Sequence, residues 1–177
     1  PVHARARRKC ARILQWALGA AVIVPFRQVR PQLLIGGHEL FVADGYGNRR
    51  IIVFDADTGK FKRMWGAFGN PPTDAPPNPA LPDADEKGAS QFVQPVHAAR
   101  VSNDGLVYVS DRGGKRVQVF RIDGTYVNQV FIGRECKAPE CGNGTTAAST
   151  AFSTDAAQRF LFVGKRSQAK VMIFDRR

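Results

Sequence analysis

Cysteine, acidic side chains and long apolar runs are all scarce in this chain. Its three cysteines allow at most one disulfide and leave one over. Cys136 and Cys141 bracket Lys-Ala-Pro-Glu in a Gly- and Thr-rich stretch, a candidate loop-closing bridge in an oxidising compartment. No further pair of ligands follows them at finger-like spacing, which excludes a zinc knuckle. The most apolar run, residues 13–24, is too short for a membrane span and is ended by Pro25-Phe26-Arg27. No transmembrane segment is expected.

Acidic residues number 15 against 26 lysines and arginines, a formal charge of +11. Seven of the basic residues lie in the first thirty positions, among no acids, so the remainder carries only about +4. A basic start followed by an apolar run has the order of an export signal. Residues 1–37 are therefore read as an export remnant or a non-repeat extension, and the protein is expected to be extracytoplasmic, periplasmic or secreted.

Against these scarcities stands one abundant feature, internal repetition. LFVADGYGNRRIIVF (residues 40–54), LVYVSDRGGKRVQVF (106–120) and FLFVGKRSQAKVMIF (160–174) superimpose. Each reads as a β-branched and aromatic strand, a polar turn, and a second strand ending in Val/Ile-Phe. A Gly turn and an outer strand follow in the first two units. The second unit also shows an inner strand from Pro95 to Val101 and an Asn103-Asp104-Gly105 hairpin turn ahead of its repeat.

Four antiparallel strands per unit is the composition of a propeller blade. The expected fold is all-β: an open or partial β-propeller spanning residues 38–177, of about two and a half to three blades. Two insertions interrupt it. Residues 69–90 are too proline-rich for a ladder, and residues 133–149 carry the cysteine pair.

At one rim, antiparallel topology gathers Asp44, Tyr46, His97, Asp111 and Arg112. A tyrosine, an arginine and a histidine around a funnel can bind an anion or handle a proton. Asp44 and Asp111 are expected to stitch their turns. Arg50, Arg116 and Lys170 recur ahead of the third strand and are expected to form the blades' own ion pairs. Arg112 stands where the first unit has Gly45, which marks it as a site candidate rather than a repeat residue.

The pattern D-x-x-x-N-x-R-I-x-V-F with a following D-G turn resembles the NHL repeat of six-bladed propellers. Residues 44–51, Trp65-Gly66, the proline-rich excursion, Gln91-Phe92 and residues 109–120 are similar to peptidyl-α-hydroxyglycine α-amidating lyase and to bacterial NHL proteins akin to it. That resemblance implies catalytic roles for Tyr46 as general base and Arg112 as the holder of a carboxylate or carbonyl. It also implies a metal, zinc or calcium, with His97 as the candidate ligand. The family's histidine directly follows the proline that opens the inner strand, whereas here Val96 intervenes. A shift of one residue turns a strand side chain to the other face unless a bulge restores it. His3 and His38 match neither of the family's other metal histidines.

Three functions follow, in order of preference. The first is a scaffold binding a peptide, glycan, small ligand or protein at the rim, with a homo-oligomer completing the propeller. The second is a metal-dependent lyase acting on carbinolamides through Tyr46 and Arg112. RNA or another anionic polymer comes last, because no aromatic-basic interleaving supports base stacking.

Overall fold

In the computed structural model, residues 30–34, 38–73, 87–140 and 145–177 are described. Three antiparallel sheets follow one another along the chain. Blade 1 contains β1 (Arg30–Leu34), β2 (Glu39–Asp44), β3 (Arg50–Asp55) and β4 (Phe61–Trp65). Blade 2 contains β5 (Val96–Val101), β6 (Leu106–Asp111), β7 (Arg116–Arg121) and β8 (Tyr126–Phe131), and blade 3 contains β9 (Ala147–Phe152), β10 (Phe160–Lys165) and β11 (Lys170–Asp175). Within each sheet the strands pair in sequence order, so the chain is a partial β-propeller. No helix among the described residues is long and apolar enough to cross a membrane.

Two strands lie outside the stretches that the repeat marks. β1 falls inside residues 1–37, and β9 begins inside the insertion assigned to 133–149. The repeat signature belongs to the hairpin of second and third strands, so an inner strand shows itself only by pairing. Arg30 opposite Ala43 and Phe152 opposite Leu161 supply that pairing.

Blades stack face to face, because each strand turns alternate side chains to opposite neighbours. Val107 and Val109 of β6 join Phe41, Ile51 and Trp65 of blade 1 in one buried cluster. Tyr108, between them in sequence, joins Leu161 and Val163 of blade 3 in the next. A middle strand buried on both faces therefore reads as a continuous apolar run. On blade 3, by contrast, Val171 and Ile173 are 65% and 64% exposed.

Ion pairs tie neighbouring blades at the rim where the second strands begin. There Arg63 grips both oxygens of Glu39 at 2.8 and 2.6 Å and donates to the Ile122 carbonyl, tying blade 1 to blade 2. Arg176, at the end of β11, holds both oxygens of Asp104 at 2.7 and 2.8 Å and the Tyr108 hydroxyl at 2.8 Å, tying blade 3 to blade 2.

The expected repeat ion pairs form in two blades. Arg50 Nε meets Asp44 at 2.9 Å, and Arg116 Nε meets Asp111 at 2.8 Å with both side chains fully buried. Blade 3 departs from the expectation. Lys170 lies directly opposite Lys165, which occupies the place of the aspartate. Lys165 is nonetheless buried, and it takes its counter-ion, Glu135 at 3.3 Å, from the second insertion.

Breaking a buried pair leaves a charge without compensation, whereas a half-exposed pair is partly relieved by water. Arg116→Met should lower the unfolding free energy in urea by about 3–5 kcal/mol. Arg50→Met should lower it by about 1 kcal/mol or less. Equal losses would contradict this ranking.

Candidate functional site

The residues expected at the rim belong to blades 1 and 2, at the end where their second strands finish, and the matching end of blade 3 lies beside them. The rim's framework is a pair of backbone steps that repeat from blade to blade. The Arg112 N–H donates to the Pro95 carbonyl at 3.2 Å, and the Arg166 N–H donates to the Thr146 carbonyl at 3.3 Å. The two steps are joined, because the Thr146 N–H donates to the Arg112 carbonyl at 3.2 Å.

A β-bulge re-aims His97. Val96 pairs with Asp111 and Ala98 with Ser110, leaving His97 as the extra residue. Blade 3 repeats the device, with Ala147 opposite Lys165, Ser149 opposite Gly164, and Ala148 between them. The two bulges touch: His97 Nδ1 hydrogen-bonds the carbonyl of Ala148. A carbonyl only accepts, so Nδ1 carries the proton and the neutral ring has its lone pair on Nε2.

Tyr46 packs against this histidine, with ring centroids 6.0 Å apart, and remains 43% exposed. Gly45 explains how the tyrosine comes so close. A Cβ on Gly45 would lie 2.1 Å from the Val96 carbonyl oxygen, so the first turn can abut the bulged strand only as glycine. Gln94 Nε2 fastens the same turn by donating to the Gly47 carbonyl at 3.0 Å.

The aspartates are structural. Asp44 accepts from Asn48 and Arg50, both at 2.9 Å. Asp111 accepts from Arg116, from the Val93 N–H at 2.8 Å and from the Gly114 N–H at 3.2 Å. Burial pushes the Asp111 carboxyl above its ordinary value, against the pull of Arg116 and the two N–H groups. Both Asp111 oxygens are taken up, whereas Asn48 and Arg50 both donate to the one oxygen Oδ2 of Asp44.

Arg112 has the opposite character. It is half-buried, and its Nε is enclosed without a hydrogen-bond partner. Tyr46, His97 and Arg112 thus lie at the same strand ends as Asp111, and Arg112 enters no ion pair among the described residues.

A zinc or calcium centre does not fit what is present. Among the described residues no three His, Cys, Asp or Glu side chains come together, and His97, oriented through Nδ1 by a carbonyl, offers a single Nε2 ligand. Cys136 is disulfide-bonded, while Cys141, its expected partner, lies outside the described residues.

Residues 92–120 match the family model of the NHL repeat. By that match the segment resembles an NHL repeat. The NHL match covers the β5–β6–β7 core of blade 2, including His97, Asp111, Arg112 and Arg116. No curated protein matches the chain. Among solved structures it is similar to the computationally designed Ika8 protein, at 12% identity and a TM-score of 0.38, over 81% of this chain and 44% of that one. It is also similar to the designed Ika4 protein, at 12% identity and a TM-score of 0.34, over 80% and 87% of the two chains. U3-55K is similar at 12% identity and a TM-score of 0.24, over 85% and 55%. The chain spans less than half the length of the first of these.

Sequence reasoning passed over Arg166. Pairing of β10 with β11 sets Lys165 opposite Lys170, as Asp111 is opposite Arg116 in the NHL repeat of blade 2. Arg166 therefore follows Lys165 as Arg112 follows Asp111. Arg112 is a repeated residue after all, shared by blades 2 and 3 and replaced by glycine only in blade 1. Aligning GKR of the third unit on SDR of the second would have revealed it.

Gly45→Ala should be strongly destabilising, by about 2–3 kcal/mol or more, because the added methyl meets backbone. Gly47→Ala, which meets nothing within 4 Å, should change stability by less than about 0.5 kcal/mol. Thermal unfolding of the two variants checks the fit of the turn.

Proposed function

We propose that the protein is a binding scaffold whose rim holds an anionic group of a small ligand or peptide, with Arg112 as the anchor and Tyr46 and His97 forming the wall beside it. The observation that carries this reading is the uncommitted guanidinium. Arg50, Arg63, Arg116, Arg159 and Arg176 each grip a carboxylate. Arg112, whose backbone joins blade 2 to blade 3, grips none among the described residues.

A planar fork of N–H donors at the edge of a partly desolvated site suits a carboxylate or phosphate oxygen. The exposed Tyr46 ring supplies an apolar surface with a hydroxyl at its tip, suited to the body of such a ligand. The disulfide at Cys136 supports an oxidising, extracytoplasmic setting. An amidating-lyase reading would set the same three residues around a metal. The described residues offer one histidine towards it, so binding is the reading adopted.

Calorimetric titration with benzoate, as a model aromatic carboxylate, tests this. Arg112→Ala should weaken binding about tenfold or more, the effect of losing a charge-assisted hydrogen bond. Tyr46→Ala should weaken it less, and added salt should weaken it further. Unchanged affinity in Arg112→Ala would remove the rim as the binding site.

A further inference from the structure

We infer that the rim holds a second anion subsite, Arg166 on blade 3, and that the ligand recognised is a dianion bridging blades 2 and 3. This rests on the reading of Arg112 as an anchor and names the charge class of what it binds.

Four observations converge on it. Arg166 is the structural counterpart of Arg112, each following the last residue of its blade's second strand and each donating its backbone N–H to the residue just before the bulged inner strand. Like Arg112, Arg166 is engaged by no carboxylate or carbonyl through its side chain among the described residues, and it is exposed. Thr146 spans the two arginines through its own backbone, accepting from Arg166 and donating to Arg112. Its hydroxyl is fully buried between the blades and has no hydrogen-bond partner.

Two successive backbone hydrogen bonds separate the arginines by about two strand spacings, roughly 10 Å. Two extended arginine side chains reach across such a gap. They can meet on one doubly charged group or hold two acid groups of a short ligand.

The surrounding charges favour this use. The rim's own carboxylates are already committed: Asp44 to Arg50, Asp111 to Arg116, and Glu135 to Lys165. Lys165 stands where blades 1 and 2 carry aspartate, so blade 3 presents a cation beside Arg166 in place of an anion. As Asp111 is held by Arg116 in blade 2, so Lys165 is held by Glu135 in blade 3, and neither pair draws in the arginine that follows it.

Calorimetric titration at fixed ionic strength with two dianions, phenyl phosphate and succinate, and their monoanionic counterparts, benzoate and butyrate, decides the matter. In the unaltered protein at least one dianion should bind about tenfold tighter than its counterpart. Phenyl phosphate showing the advantage would indicate a single doubly charged head; succinate, two separate acid groups. Arg166→Ala should abolish the advantage and leave the monoanions unchanged, and Arg166→Lys should restore part of it. Arg112→Ala should weaken all the anions that bind. If Arg166→Ala leaves dianion affinity unaltered, or lowers monoanion and dianion alike, the second subsite is refuted while Arg112 stands. If Arg112→Ala has no effect on any of them, or no anion binds the unaltered protein, the parent reading fails and this one with it.

Discussion

Arg116 has no exposed surface, yet its guanidinium ties the second blade's central hairpin to the segment that leads into its inner strand. Nε meets Asp111, and the terminal nitrogens donate to the carbonyls of Lys87, Ala89 and Gln91. Asp111 in turn accepts from the Val93 and Gly114 N–H groups. One ion pair thus joins the β6–β7 turn to the segment that leads into β5. That segment fixes Pro95 and the bulge, and through them Arg112 and His97. Taking two charges out of water is costly, and the cost is offset only because all these groups are satisfied at once.

The same pair, repeated and then altered, distributes charge around the funnel. In blades 1 and 2 each aspartate is neutralised by its own blade's arginine. In blade 3 both partners are lysines, and the insertion after β8 bends back to supply Glu135. The insertion is also held by Lys115, whose Nζ donates to the carbonyls of Arg134 and Cys136. What reads in sequence as loop decoration is therefore the counter-ion and the brace of the third blade. The arginines that follow these pairs, Arg112 and Arg166, are gripped by no carboxylate among the described residues.

The central hairpins were legible because they combine alternation, a polar turn and a recurring charge pair, and β2–β3, β6–β7 and β10–β11 form where that pattern lies. The gathering of Tyr46, His97 and Arg112 followed from antiparallel topology alone. Inner strands were harder to read. β9 is Ala-Ala-Ser-Thr-Ala-Phe, with little β-branched content, and is held by its neighbours rather than by propensity. The bulge at His97 was legible only as a condition, raised by Val96 standing between Pro95 and the histidine. It becomes apparent only when Ala98 is found opposite Ser110. Arg166 falls on Arg112 when the third unit is superimposed on the second, and comparison with Gly45 of the first unit alone masks the match.

The central claim is that the buried ion pairs build a rim whose arginines remain free to hold an anion. Nitrogen-15 NMR of the arginine Nε–H groups, recorded while phenyl phosphate is added, observes this directly. The account predicts that the Arg112 and Arg166 resonances move together and saturate, while that of Arg116 stays in place with slow hydrogen exchange. Movement at Arg116, or none at Arg112, would contradict it.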